Sequence, residues 1–174
     1  MKDYSETVQV EFNPQEISYQ QLLDVFWASH DPTYEVYSRQ YRNAIFYLSE
    51  EQRIQAERSR ELIEKAKKRP VYSAIEKAGV FYPAENYHQK YYLRQKDKLI
   101  EEFKQIYPDD DQFVASTAAA RLNGYLGCNG KAEDLKKEVG LLGLSATAQN
   151  YLVEYVATAC RQFKGLTCPA PKQK

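Results

Sequence analysis

Hydrophobic and polar positions alternate through residues 7–12. Val8, Val10 and Phe12 fall on one side and Thr7, Gln9 and Glu11 on the other, the period-two pattern of a half-buried strand. Asn13-Pro14 breaks it. Ser18, with Gln21 three residues on, supplies a capping box for a helix carrying Leu22, Leu23, Phe26 and Trp27 that ends near His30-Asp31-Pro32. Residues 43–48 predict a second strand. Ser49-Glu50-Glu51 then opens a long charged helix to about Arg69, whose apolar stripe (Ile54, Leu62, Ile63, Ala66) is incomplete, and Pro70 stops it. Residues 71–75 predict a third strand, and Phe81-Tyr82-Pro83-Ala84-Glu85 leads into an aromatic helix through Tyr92.

Strands separated by helices predict an α/β (α+β) fold over residues 1–94, a two-layer sandwich of a small mixed sheet with helices. From residue 95 the periodicity is helical only, with segments at 96–106, 112–122, 131–139 and 146–163 separated by Pro-Asp, Asn-Gly and Gly-rich breaks. Residues 95–164 are therefore expected to form a helical extension and 165–174 a flexible tail. A strand starting so soon after Met1, with only two others to join, leaves a marginal sheet edge.

Composition narrows the function classes. At 174 residues the chain is one domain with an extension, and 24 Lys+Arg against 24 Asp+Glu give no net charge to hold a nucleic-acid backbone. No apolar run approaches the roughly 20 residues that span a bilayer, and the first 20 residues lack a signal peptide's basic start and apolar centre, so a cytoplasmic location is expected. The three cysteines (Cys128, Cys160, Cys168) are odd in number and make a poor disulfide framework, which fits a reducing compartment. Glu85 and His88 have a metal-ligand spacing, but His30 is the only other imidazole, so no metal is expected. No glycine loop for phosphates or dinucleotides appears, and no cofactor is expected.

Six stretches in order resemble the peptide methionine sulfoxide reductase A family: Ser5-Glu6-Thr7-Val8; Asn13-Pro14 with Ile17-Ser18-Tyr19; Leu22-Leu23 with Val25-Phe26-Trp27; His30-Asp31-Pro32; Gln40-Tyr41-Arg42 with Ala44-Ile45; and Phe81-Tyr82 with Ala84-Glu85 and His88-Gln89. The resemblance covers residues 3–92. It implies reduction of methionine S-sulfoxide, in proteins and as the free amino acid, with thioredoxin as reductant. In that chemistry a thiolate attacks the sulfoxide sulfur, an acid protonates the oxygen, methionine leaves and a sulfenic acid remains on the cysteine. The family's nucleophile lies in a Gly-Cys-Phe-Trp-Gly segment that these residues lack, and by resemblance Met1 falls inside the family fold. The chain is accordingly expected to be N-terminally incomplete, through a start at an internal Met or as a natural short form, and to have low or no reductase activity alone. A catalytically dead interaction module built on the same fold is the alternative.

By resemblance, Glu6 matches the family's acid, and its place on the face of Val8 and Val10 predicts a buried carboxyl. Tyr41 matches a tyrosine whose hydroxyl donates to the sulfoxide oxygen. The family has an Asp five residues before that Tyr; Val36 stands there, and Glu35 is the candidate to take over the polar role, within a loop that also carries Tyr34 and Tyr37. Cys168, in Gly165-Leu166-Thr167-Cys168-Pro169, resembles the family's resolving cysteine, whose disulfide thioredoxin reduces by exchange. Cys128, in Gly124-Tyr125-Leu126-Gly127-Cys128, is a second candidate displaced by two positions. His88 is expected to support the pocket wall. Cys160 continues an apolar helix stripe with Leu152 and Val156 and is expected to be inert packing.

Overall fold

A computed structural model describes residues 4–160 of the chain. They form two compact units, residues 4–81 and residues 82–160, each with its own core.

The first unit is a βαβ element preceded by one helix. Helix α1 (Tyr19–Ala28) starts at Ser18, whose hydroxyl accepts from the Gln21 N–H at 3.2 Å while the Ser18 N–H donates to Gln21 Oε1 at 2.9 Å, the predicted capping box. Leu23 and Trp27, one turn apart, are its buried positions, and they form a small core with Ile45 and Ala56. Strand β1 (Ala44–Tyr47) leads through the Ser49 cap into α2 (Glu50–Lys67), with Glu50 and Glu51 in the first turn and Lys65 and Lys67 in the last, charges that complement the helix dipole. Lys68 leaves the helix in the left-handed region at φ 53°. Strand β2 (Ala74–Lys77) returns parallel to β1 in the register Ala44↔Ala74 to Tyr47↔Lys77.

Mixed α/β character holds, although the sheet is parallel and two-stranded rather than mixed. Three local expectations are corrected. Residues 7–12 form no strand: Val8 is 83% and Val10 56% exposed, because alternation without a neighbouring strand to complete the ladder does not make one. The third strand begins at Ala74 instead of Val71 because Val71 N–H donates to Glu64 Oε1 (3.1 Å) and Tyr72 N–H to the Pro32 carbonyl (2.9 Å), outside the sheet. The aromatic helix is reduced to one turn, α3 (Tyr91–Arg94), since Phe81, Tyr82 and Tyr87 are exposed and offer no buried face to pay for nucleation.

The second unit is helical. After α3 come α4 (Asp97–Ile106), α5 (Asp110–Ala115), α6 (Thr117–Leu126), α7 (Ala132–Glu138), a 3₁₀ turn (Val139–Leu141) and α8 (Ala146–Ala159). Leu99, Ile100 and Phe103 line the inner face of α4 and meet Leu122, Leu152 and Val156 in one core. The single helix expected at 112–122 is two, because Ser116 takes an extended conformation and its hydroxyl caps α6 by accepting from the Ala119 N–H. Tyr125 and Arg121 on α6 both bind the Glu138 carboxylate on α7, the tyrosine at 2.6 Å. Cys160 is buried on the α8 stripe as expected, but it is not a free thiol: it forms a disulfide with Cys128, 32 residues away, the Cα atoms 5.2 Å apart. That pair corrects the expectation of an unbridged set of cysteines.

Candidate active site

In the first unit, candidate residues gather where the segment before α1 meets the loop before β1. The Glu6 N–H donates to the Gln40 carbonyl (2.9 Å), and Gln40 Nε2 donates to Glu6 Oε1 (2.9 Å), so backbone and side chain both fasten Glu6 to the residue before Tyr41. The Ser5 hydroxyl donates to the Arg39 carbonyl (2.8 Å) and accepts from Arg42 Nε (3.1 Å). Arg42 directs its two terminal nitrogens at the Glu76 carboxylate on β2, at 2.6 and 2.7 Å. The Glu76 carboxyl is thereby held below the ordinary carboxylate range, by the Arg42 hydrogen bonds above all, and the guanidinium is pushed further up. Glu6 itself is exposed, against the buried position predicted for it, because the strand that was to carry it inward does not form. Tyr41 is 61% exposed.

The loop between α1 and β1 is held at its start. Asp31 Oδ1 accepts from the Thr33 N–H (3.1 Å) and hydroxyl (2.8 Å), bonds that lower the Asp31 carboxyl, and Pro32 and Thr33 are buried. His30 Nε2 lies 2.9 Å from Ser73 Oγ with its ring edge-on to Phe26, and burial lowers its basicity. Beyond this turn, Tyr34, Val36, Arg42, Asn43, Tyr72 and Ser73 line a cleft with room for about 10 Å³, one water's worth. Glu35 hydrogen-bonds Tyr37 and raises that phenol.

Glu6, Glu35 and Tyr41 thus lie in the first unit, and His88 and Cys128 in the second. His88 is exposed, 3.9 Å from Glu85 and against the Tyr87 ring. Cys128 is engaged by Cys160. Cys168 lies outside the described residues. A groove of about 320 Å³ in the second unit runs between α4 and α8, but none of the candidate residues lines it, and Glu102 at its wall caps α8 through Ser145 (2.6 and 2.8 Å). Among the described residues no group of three His, Cys, Asp or Glu could hold a metal ion, and no helix is long and apolar enough to cross a membrane. Ser5, Arg42, Glu76 and Ser73 carry the local geometry without having been predicted for it; Ser5 and Arg42 lie within the recognised stretches, whereas nothing in the sequence marks Glu76 or Ser73.

A family model described as peptide methionine sulfoxide reductase matches residues 1–121. A Drosophila melanogaster protein named peptide methionine sulfoxide reductase is 35% identical over 171 residues, 97% of this chain and 67% of the relative. Peptide methionine sulfoxide reductase MsrA of Methanococcus maripaludis strain C5 is 42% identical over 101 residues, 55% of this chain and 64% of the relative. Peptide methionine sulfoxide reductase A5 of Oryza sativa subsp. japonica is 38% identical over 130 residues, 71% of this chain. The chain spans somewhat less than two thirds of the length of the Methanococcus relative and half that of the rice one.

Proposed function

Because the chain belongs to the peptide methionine sulfoxide reductase family, we propose that its first unit carries the sulfoxide-side chemistry of a peptide-methionine (S)-S-oxide reductase. Glu6 gives the proton to the sulfoxide oxygen and the Tyr41 hydroxyl donates a hydrogen bond to the same atom, drawing electron density from sulfur as a thiolate attacks it. The pair of bonds joining Glu6 to Gln40 supports this assignment, since it fastens the acid to the residue adjoining Tyr41. Glu35 supplies a polar rim to the site.

Balance requires a thiolate, which takes the oxygen as a sulfenic acid while methionine leaves. The 174 residues hold cysteine at 128, 160 and 168, and two of these are joined to each other. In this proposal Cys168 resolves the sulfenic acid, Cys128 being engaged by Cys160 and without a free thiol for that role, and thioredoxin reduces the resulting disulfide in the cytoplasm. Residues 1–174 alone then bind the sulfoxide but turn it over poorly or not at all; an interaction module that binds without redox chemistry follows from the same fold if no nucleophilic thiol acts with it.

Calorimetric titration of residues 1–174 with one peptide carrying methionine (S)-sulfoxide, methionine (R)-sulfoxide or methionine tests the proposal. The S-sulfoxide is expected to bind most tightly, and Tyr41→Phe to weaken it about five- to tenfold, the value of one hydrogen bond to a polarised oxygen. Equal affinity for the three peptides refutes the assignment. Sustained turnover with thioredoxin by these residues alone refutes the expectation of low activity.

A further inference from the structure

We propose that Arg42 and Glu76 are positioning residues, a latch that ties the segment carrying Glu6 to the parallel sheet and thereby fixes Glu6 beside Tyr41. The inference rests on the roles proposed above for those two residues.

The atoms form one directional chain. Glu76 is on β2 opposite Phe46 of β1, and the Arg42 guanidinium sits over the Phe46 ring at 5.6 Å, two residues before that strand begins. Both terminal nitrogens of Arg42 are spent on the Glu76 carboxylate at 2.6 and 2.7 Å, which leaves Nε to donate to the Ser5 hydroxyl at 3.1 Å. A hydroxyl carries one proton, and that of Ser5 goes to the Arg39 carbonyl at 2.8 Å. Every group in the relay has its donor or acceptor role fixed, so the hydroxyl cannot turn away without losing a bond. Glu6 follows at once, with its own two bonds to Gln40.

An ordinary solvated ion pair would not look like this. The Arg42 side chain is 21% exposed and that of Glu76 43%, the two terminal nitrogens each meet a different carboxylate oxygen, and the remaining N–H reaches a third residue 37 positions away in sequence. The latch also has a task that no secondary structure performs, because residues 7–12 enter no strand and cannot hold Glu6 from the other side.

Amide hydrogen exchange and peptide titration of the full 174-residue chain test the latch together. In Glu76→Gln and in Arg42→Lys the Glu6 amide is expected to exchange about tenfold faster, with the amides of α1 and α2 unchanged, and the S-sulfoxide peptide to bind about five- to tenfold more weakly. Ser5→Ala, which leaves the ion pair intact, is expected to give the same acceleration at Glu6 and serves where an ion-pair variant fails to fold. Unchanged exchange at Glu6 in these variants overturns the latch. So does unchanged affinity in variants of a chain whose wild type binds the S-sulfoxide peptide selectively. A wild type that does not discriminate the peptides, yet shows the accelerated exchange, instead overturns the roles of Glu6 and Tyr41 and with them the purpose of the latch.

Discussion

Reducing the bond between Cys128 and Cys160 removes a covalent tie between the end of α6 and the end of α8, across the segment that contains α7. In the chain-entropy account, closing a loop of 32 residues lowers the entropy of the unfolded chain by about 2.1 + 1.5R ln 32 cal/mol/K, close to 3.7 kcal/mol at room temperature. The second unit, with roughly eighty residues, is expected to lose about 15 °C or more in melting temperature when that contribution goes. Cys128→Ala is the cleaner perturbation: Cys128 is only partly buried, whereas a polar replacement at Cys160 would also disturb the α8 core stripe. Scanning calorimetry with and without dithiothreitol, on the wild type and on Cys128→Ala, separates the bond from the solvent effect of the reductant. The wild type is expected to drop on reduction to the melting point of the variant, and the variant to ignore the reductant. Wild-type melting that reduction leaves unmoved, or a peptide map under non-reducing conditions that recovers both cysteines alkylated, refutes the reasoning.

Other perturbations are smaller and local. Ser59→Ala strands the buried Trp27 indole N–H, which donates to Ser59 Oγ at 2.8 Å, and is expected to cost about 1–3 kcal/mol in a urea titration of the first unit. Tyr125→Phe removes the 2.6 Å bond to Glu138 and is expected to cost the second unit about 1 kcal/mol by the same measurement. Stability of the first unit is expected to fall on acidification in two stages. Burial lowers folded His30 below its ordinary 6.5, so its contribution is full above that pH and is lost as the pH falls beneath it. Arg42 lowers folded Glu76 below 4.5, so the latch contributes fully above 4.5 and is released as the pH falls through the folded value. His30→Gln, followed by urea titrations across this range, is expected to abolish the first stage and leave the second.

The elements legible in the sequence are those whose cause is local. Ser18 with Gln21, and Ser49 followed by two glutamates, mark helix starts because the capping groups lie within one turn of the N–H groups they satisfy. Residues 7–12 and 81–92 fail for the opposite reason. Alternation and aromatic content describe which faces could be buried, but a face is buried only where another element covers it, and Val8, Val10, Phe81 and Tyr82 remain uncovered in their units. Ser116 misleads in a third way, since a serine inside an apolar helical run is equally good as the cap of a new helix.

At the candidate site the same division applies residue by residue. Glu6 and Tyr41 are legible in short stretches of chain, and Glu6 is fastened to Gln40, a residue in the same stretch as Tyr41. Glu76 is not legible that way. Its partner lies 34 residues earlier, and the two meet only because β2 pairs with β1 in parallel and in the register that sets Glu76 opposite Phe46. A shift of one residue in that pairing would turn Glu76 to the other face of the sheet and leave Arg42 without its carboxylate. β2 begins at Ala74 because the Val71–Glu64 and Tyr72–Pro32 bonds keep those two residues out of the ladder. A site residue whose position depends on a start signal outside its own strand leaves no local trace in the sequence, and this is why the sheet-side half of the latch emerges from the fold alone.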